Sequence, residues 1–261
     1  MVRYWVSPHS ATPEPNPPAR LRLKEALRNS WFSPRHLSVA YAQRAISESR
    51  QYARGVLLDV GCGLRQYEAI LGRHVEAYIG MDWPVRPETS RPDVIGDALY
   101  IPFLDNSVDT VLATESMEHL PDPELFIAEV ARVLRPGGSL ILSVPFMEPL
   151  HEEPRDYYRF TSYGLRTLLQ KHGFSVVRVW TKGGWWSVVL GSFASKALYE
   201  LANPEVRRDS GRDRWWTALP VLPLCAVVQL TAYLLDHLLG SSQKYTLGYV
   251  VVGNRLAVPL K

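Results

Sequence analysis

The chain has 261 residues, 46% of them hydrophobic and 21% charged, with a formal net charge of +3. That apolar share supports a sizeable core and excludes a disordered chain, while a charge of +3 is too small and too evenly spread for a dedicated nucleic-acid binder. The two cysteines, Cys62 and Cys225, lack CxxC spacing and exclude a disulfide framework or a cysteine zinc site, and no self-similar period suggests a repeat architecture.

In chain order, Ser7 to Pro18 is proline-rich and reads as an extended tail over 1–18, with none of the early apolar run that an export signal needs. Residues 19–54 carry Leu21, Leu23, Leu27, Val39 and Ile46 among charges, which predicts covering helices broken near Ser33-Pro34. Apolar runs then predict parallel strands. They are Val56 to Val60, closed by Gly61-Cys62-Gly63; Ala77 to Met81, ending at Asp82; Asp93 to Gly96, ending at Asp97; and Asp109 to Ala113, ending near Glu115. Between Asp122 and Gly137 the signals are those of a helix with Asp122 as cap, Pro123 in the first turn and Gly137 as stop. A fifth strand is expected at Ser139 to Val144, a sixth at Ser175 to Trp180 and a seventh at Tyr245 to Val252.

This alternation predicts a Rossmann-like α/β fold with helices on both faces of the sheet and the ligand site at the carboxyl ends of its strands. A glycine pair straight after the first strand, Gly61 and Gly63, lets backbone approach a ligand closely. A dinucleotide fingerprint would want a third glycine where Gln66 stands, which argues against NAD. Asp82 is placed to accept from ribose hydroxyls, and Asp97 to accept from an exocyclic amine with Ala98 and Leu99 against an adenine face. Each residue alone could serve only a turn or a cap; together they point to a nucleoside ligand.

The strings VLLDVGCG (56–63), YIGMD (78–82), GDALYIPF (96–103), SVDTVLATESMEHLPDP (107–123) and ARVLRPGGSLILSVP (131–145) together resemble the class I S-adenosylmethionine-dependent methyltransferases of the small-molecule type. The resemblance implies a seven-stranded sheet with an antiparallel last strand, and S-adenosyl-L-methionine as cofactor. It implies that Asp59, Gly61 and Gly63 surround the methionine end, that Asp82 holds the ribose, that Asp97 and Ala98 face the adenine, and that Glu115 lies at the cofactor edge. One departure is Arg65, where the family often has a further glycine.

A sulfonium methyl group already has a good leaving group, so the protein's task is to align an acceptor and take up its proton. The segment HEEPRDYYRFT (151–161) resembles one that follows the fifth strand in a bacterial subgroup of these enzymes linked to cell-surface glycan or lipid pathways. His151 is the preferred general base and His119 the second, because imidazole titrates near neutral pH. Tyr157, Tyr158 and Arg159 are expected either to shape the acceptor pocket or to pin the loop to the sheet. No metal is expected at His151-Glu152-Glu153, since adjacent residues seldom converge on one ion and no second ligand cluster is evident.

Between the last two strands, a plain methyltransferase sheet would have a tight hairpin. Here residues 184–244 intervene as a helical insertion with Trp185-Trp186, an arginine cluster (Arg207, Arg208, Arg212, Arg214), and an uncharged run from Trp215 to Leu235. The run exceeds the length of about 18 residues that a membrane span needs. A single crossing would nevertheless strand the seventh strand on the far side, and Pro220, Pro223 and Gln229 interrupt the run. A lid, a membrane-interface element and a homodimer contact all remain open for it. The expected organisation is therefore a core over 55–183 completed by 245–261, in a cytoplasmic protein with possible peripheral contact at the inner face of the membrane. The expected activity is O-methylation of a small-molecule or lipid/glycan-linked acceptor; the alternatives are a non-catalytic membrane-surface adaptor or C-methylation of a quinone-like ring.

Overall fold

The computed structural model describes residues 30–83, 90–202, 219–240 and 244–257. The expected tail over 1–18, the arginine cluster and Trp215-Trp216 lie outside the described residues. Seven strands form one sheet in the order β3-β2-β1-β4-β5-β7-β6. They are β1 (Val56–Val60), β2 (Ala77–Asp82), β3 (Val94–Ile95), β4 (Val108–Thr114), β5 (Leu134–Pro145), β6 (Phe174–Thr181) and β7 (Gly248–Arg255). The pairings among β1 to β5 are parallel, and β7 runs antiparallel between β5 and β6.

Residues alternate across this sheet, and each face is covered. On one face, Ala45 and Ile46 of helix α1 (His36–Ser49) and Leu71 of the short helix α2 (Glu68–Leu71) pack with Leu57, Leu112, Ile141, Val250 and Val252. On the other, Phe126 and Val130 of α3 (Pro123–Val133) and Leu165 and Leu169 of α4 (Ser162–Lys171) pack with Leu58, Val111, Leu140, Leu142 and Val251. Helix α1 begins just after Ser33-Pro34, and the helical stretch expected before residue 30 lies outside the described residues. Asp122 caps α3 by accepting from the Leu125 backbone N–H at 2.9 Å.

Three boundaries differ from the sequence expectation. Helix α3 stops at Val133 and not at Gly137, because Leu134 is already extended and pairs with Val108; β5 therefore starts at Leu134, ahead of Ser139, with a register shift after that first pair. The seventh strand begins at Gly248 and not at Tyr245. The Thr246 hydroxyl lies 3.0 Å and 2.9 Å from the Lys182 and Gly248 carbonyl oxygens, so residues before Gly248 form a connector. The third strand is only Val94–Ile95.

The insertion opens as a π-helical segment (Ser187–Ala194), continues as α5 (Ser195–Ala202) and returns as α6 (Leu222–Leu238). The stretch Leu219–Leu238 is long and apolar enough to cross a membrane by length and composition. Two of its polar residues, Gln229 and Asp236, nevertheless face the protein, while Thr231 and His237 are exposed. Buried Gln229 accepts from the Leu37 N–H at 3.1 Å and donates to the Ser33 carbonyl. Buried Asp236 accepts from the N–H groups of Gly184, Trp186 and Ser187 at 3.0–3.1 Å and from the Ser187 hydroxyl at 2.6 Å, so it caps the π-helical segment from a distant part of the chain. Leu224, Val227, Leu230, Leu234 and Leu238 are exposed on the opposite side. With β7 closing the sheet after α6, a single crossing does not fit this topology.

A buried ion pair ties the insertion to the chain that follows β5. The Lys196 ammonium lies 2.7 Å from Glu148, and both side chains are largely buried. Burial opposes ionisation of Glu148, but the charges of Lys196 and Lys182 outweigh it and hold the carboxyl at about 2. A carboxyl held below its unfolded value contributes stability above that value and loses it as pH falls. Lys196→Met leaves a buried charge unpaired, and its expected cost near neutral pH is about 3–5 kcal/mol. Urea unfolding as a function of pH checks this: the deficit is full where the variant's Glu148 is ionised and shrinks as that carboxyl, raised by burial without its lysine, takes up a proton on acidification.

Candidate functional site

The carboxyl ends of the parallel strands converge on one edge of the sheet. After β1 the chain turns through Gly61 (φ +74°) and Gly63 (φ +50°), and a Cβ at Gly61 would stand 2.3 Å from the Ser116 hydroxyl oxygen. Only glycine allows both the left-handed backbone and that approach. The turn is clamped to the end of β2, where the N–H groups of Gly61 and Cys62 donate to the Met81 carbonyl at 2.9 and 3.1 Å. Asp82 accepts from the Gly63 N–H at 3.0 Å, the Trp83 N–H at 2.8 Å and the Ser90 hydroxyl at 2.5 Å. Arg65, the departure from the glycine-rich pattern, takes a left-handed backbone (φ +58°) and is held there by Asp93 at 2.6 Å and Glu68 at 2.9 Å.

Asp59 lies in β1 and is buried. Burial pushes its carboxyl up to about 7 against the opposing hydrogen bond from the Tyr78 hydroxyl at 2.6 Å. Its other oxygen, Oδ1, is buried without a partner. An orphaned buried acceptor, a turn open to close approach and a carboxylate ending β2 suit a ligand with an amine at one end and a ribose diol at the other. Asp97 accepts from the Leu99 N–H at 2.9 Å in a local turn, and Ala98 packs at the edge of the core beside it. At the end of β4, Glu115 has a left-handed backbone (φ +49°) and its Oε1 takes hydrogen bonds from Ser143 and from buried Lys182, the latter at 2.9 Å.

Beyond Glu115 the turn Met117–His119 sets Glu118 into the interior, where both carboxylate oxygens are buried without a hydrogen-bond partner. Burial, with Glu115 adding to it, pushes Glu118 well above the ordinary carboxylate range. The Nε2 atoms of His119 and His151 lie 3.7 and 3.9 Å from Glu118 Oε1, and the two rings meet edge to face with centroids 5.0 Å apart. Burial lowers the His151 pKa, so this imidazole is neutral at physiological pH.

The segment after β5 is strapped over this cluster. The Tyr157 N–H donates to the Glu118 carbonyl at 2.9 Å. Arg159 reaches Asp156 at 2.5 and 2.6 Å and the carbonyls of Glu148 and Pro149 at 3.2 and 3.1 Å, so its guanidinium is occupied in holding the strap. The Tyr158 hydroxyl donates to the Pro121 carbonyl at 3.0 Å and its ring stacks on Phe160. Tyr157 is half exposed.

The structure thus brings Asp59, Gly61, Gly63, Asp82 and Glu115 to one edge, and His119 together with His151 beside it. Sequence reasoning missed Glu118 and Lys182. Glu118 stands next to His119 in a motif that was read for its histidine, and only its burial marks it out. Lys182 follows β6 and reaches Glu115 only because β7 lies between β6 and β5.

Residues 58–142 match the family described as Methyltransferase domain. An uncharacterized methyltransferase of Mycobacterium avium is 30% identical over 179 residues, covering 64% of this chain and 71% of that protein. A probable S-adenosylmethionine-dependent methyltransferase of Mycolicibacterium smegmatis is 30% identical over 164 residues, covering 58% and 62%. The chain spans about half the length of the curated relatives it matches, from 36% to 62% in three of them. Among solved structures, the [4+2]-cyclase SpnF shares the fold at 18% identity, with TM-score 0.50 over 83% of this chain and 80% of that one.

The turn after β1 generates a test of its own. Gly61→Ala is expected to lose at least about 1–2 kcal/mol of stability from the left-handed backbone alone, and more from the contact with Ser116. Urea unfolding of Gly61→Ala with and without Ser116→Ala separates the two contributions, and only the second is relieved in the double variant.

Proposed function

Because the chain belongs to the class I S-adenosylmethionine-dependent methyltransferases, we propose that it transfers a methyl group to an oxygen of a small-molecule acceptor, one linked to a lipid or a glycan. S-adenosylmethionine, when bound, supplies a methyl group on a positively charged sulfur. Asp82 holds the ribose hydroxyls, Asp59 and the Gly61–Gly63 turn receive the methionine end, and Glu115, fixed by Lys182, borders the cofactor. The acceptor enters on the side of Glu118, His119 and His151. This cluster is the observation that carries the reading: two imidazoles, with His151 held neutral by burial, stand beside a buried carboxyl group one turn beyond the cofactor edge and suit an acceptor that must lose a hydroxyl proton. The strap through Arg159 and Asp156 keeps His151 in place, and Tyr157 and Tyr158 form the outer wall of the acceptor side.

Support for a lipid-linked acceptor comes from α6, which turns Gln229 and Asp236 inward and leaves a row of leucine and valine side chains outward. Such an inverted helix suits the interfacial region of a bilayer, and the arginine cluster of the insertion suits its anionic headgroups. The insertion then rests on the membrane surface while the sheet stays on one side.

Calorimetry with S-adenosylmethionine tests the first part. Asp82→Ala is expected to weaken binding by on the order of 2–3 kcal/mol, roughly 30- to 150-fold. His151→Ala is expected to keep that affinity and to lose methyl transfer, read by mass spectrometry of products formed in extracts of the source cell. A protein that binds no S-adenosylmethionine and forms no methylated product refutes the reading. For the membrane, the protein is expected to co-sediment with anionic vesicles, and Val227→Glu with Leu234→Glu to leave it in the supernatant; a wild-type protein that stays in the supernatant overturns that part.

A further inference from the structure

We propose that Glu118, His119 and His151 form a binding site for one divalent transition-metal cation of the zinc class, open toward the acceptor. The ligand atoms of the three residues lie within 4.8 Å of one another. Two ligands of one tetrahedral ion, each about 2.1 Å from it, stand about 3.4 Å apart. The separations of Glu118 Oε1 from the two imidazole nitrogens, 3.7 and 3.9 Å, reach that spacing when the side chains draw inward by a few tenths of an ångström. They are too long for a proton to bridge as a hydrogen bond.

The tautomers follow from the outer contacts. His119 Nδ1 is 2.7 Å from the Arg155 carbonyl oxygen, so it carries the proton and Nε2 presents a lone pair. His151 Nδ1 faces the Pro149 carbonyl at 3.3 Å and Asp156 Oδ2 at 3.4 Å, two acceptors against the single donor Arg159 at 3.4 Å, and its Nε2 likewise presents a lone pair. A carbonyl or carboxylate behind each imidazole is the arrangement that orients histidine toward a metal. Two lone pairs and a buried carboxyl group therefore face one another, and both Glu118 oxygens lack a donor. The nearby cations are paired elsewhere, Lys182 with Glu115 and Arg159 with Asp156, and their charges offset only part of the burial of Glu118. A cation at the centre satisfies all three groups at once. Two imidazoles and one carboxylate favour a borderline transition metal over magnesium, which prefers oxygen ligands. Glu152, whose carboxylate is exposed 4.0 Å from His119 Nε2 and whose backbone is left-handed (φ +54°), stands at the rim as a further ligand.

The role of the cation rests on the methyl-transfer reading. The acceptor hydroxyl oxygen binds the metal and releases its proton to solvent at the rim. Its electron pair forms the new O–CH3 bond as the S–CH3 bond breaks, and the sulfonium becomes a neutral thioether. With the metal in place the imidazoles act as ligands and not as the general base.

Metal analysis of the full chain after incubation with zinc and desalting is expected to find about one ion per chain. Cobalt in its place should give the visible absorption of a low-coordinate site. Glu118→Gln and His119→Gln are expected to lose affinity at least about 10-fold, while circular dichroism and S-adenosylmethionine affinity stay unchanged; if one variant fails to fold, the other carries the comparison. Zinc that fails to bind, or that the folded variants retain equally, overturns the inference. A chain that transfers methyl groups with no bound metal loses this inference and keeps the proposed function; a chain that binds zinc at these residues and no S-adenosylmethionine does the reverse.

Discussion

The pairing of β7 between β5 and β6 is the constraint on which the rest depends. Its Val250, Val251 and Val252 are buried on alternating faces and belong to both halves of the core. Because β7 comes last in the chain and fills an inner place in the sheet, everything between β6 and β7 must leave and return on the same side. The insertion therefore has to fold back on the protein, which it does through Gln229 on the segment before α1 and Asp236 on the start of the π-helical segment. The same pairing brings Lys182 across to Glu115. Gly248 permits the passage, since a Cβ there would stand 2.8 Å from the lysine's Cε and 2.2 Å from the Val144 carbonyl oxygen.

Charge burial at the strand ends has two different solutions. Glu115 with Lys182, Glu148 with Lys196 and Asp156 with Arg159 are partnered pairs whose Coulomb attraction offsets their desolvation. Asp59 Oδ1 and both Glu118 oxygens have no donor, and neither has Glu148 Oε1, although Glu148 keeps its ion pair through Oε2. In an interior where unpaired acceptors are costly, the ion-paired carboxylates serve the architecture, while Asp59 and Glu118, which have no lysine or arginine ion pair among the described residues, stand at the candidate site. The two groups border one another along the edge of the sheet, so the supports of the insertion are also supports of the site.

Much of the fold was legible in the residues because buried parallel strands are short apolar runs and their ends carry punctuation. The runs at Val56 to Val60 and Ala77 to Met81, the Asp122 cap and the glycine pair all report local physics, and local physics survives into the structure. Where the expectation shifted, as at the end of α3 and the start of β7, pairing with a distant strand overrode the local signal: Leu134 is drawn to Val108, and Thr246 is held by Lys182.

The sequence by itself determined the α/β alternation and marked Asp59, Gly61, Gly63, Asp82 and both histidines as site candidates, since each lies in a motif at the end of an apolar run. Only the tertiary structure decided that His119 and His151 share one buried carboxyl group, that Arg159 holds a strap, and that α6 turns Gln229 and Asp236 inward. These depend on which segments lie side by side, and electrostatics and burial act through space, across separations along the chain that local pattern does not encode.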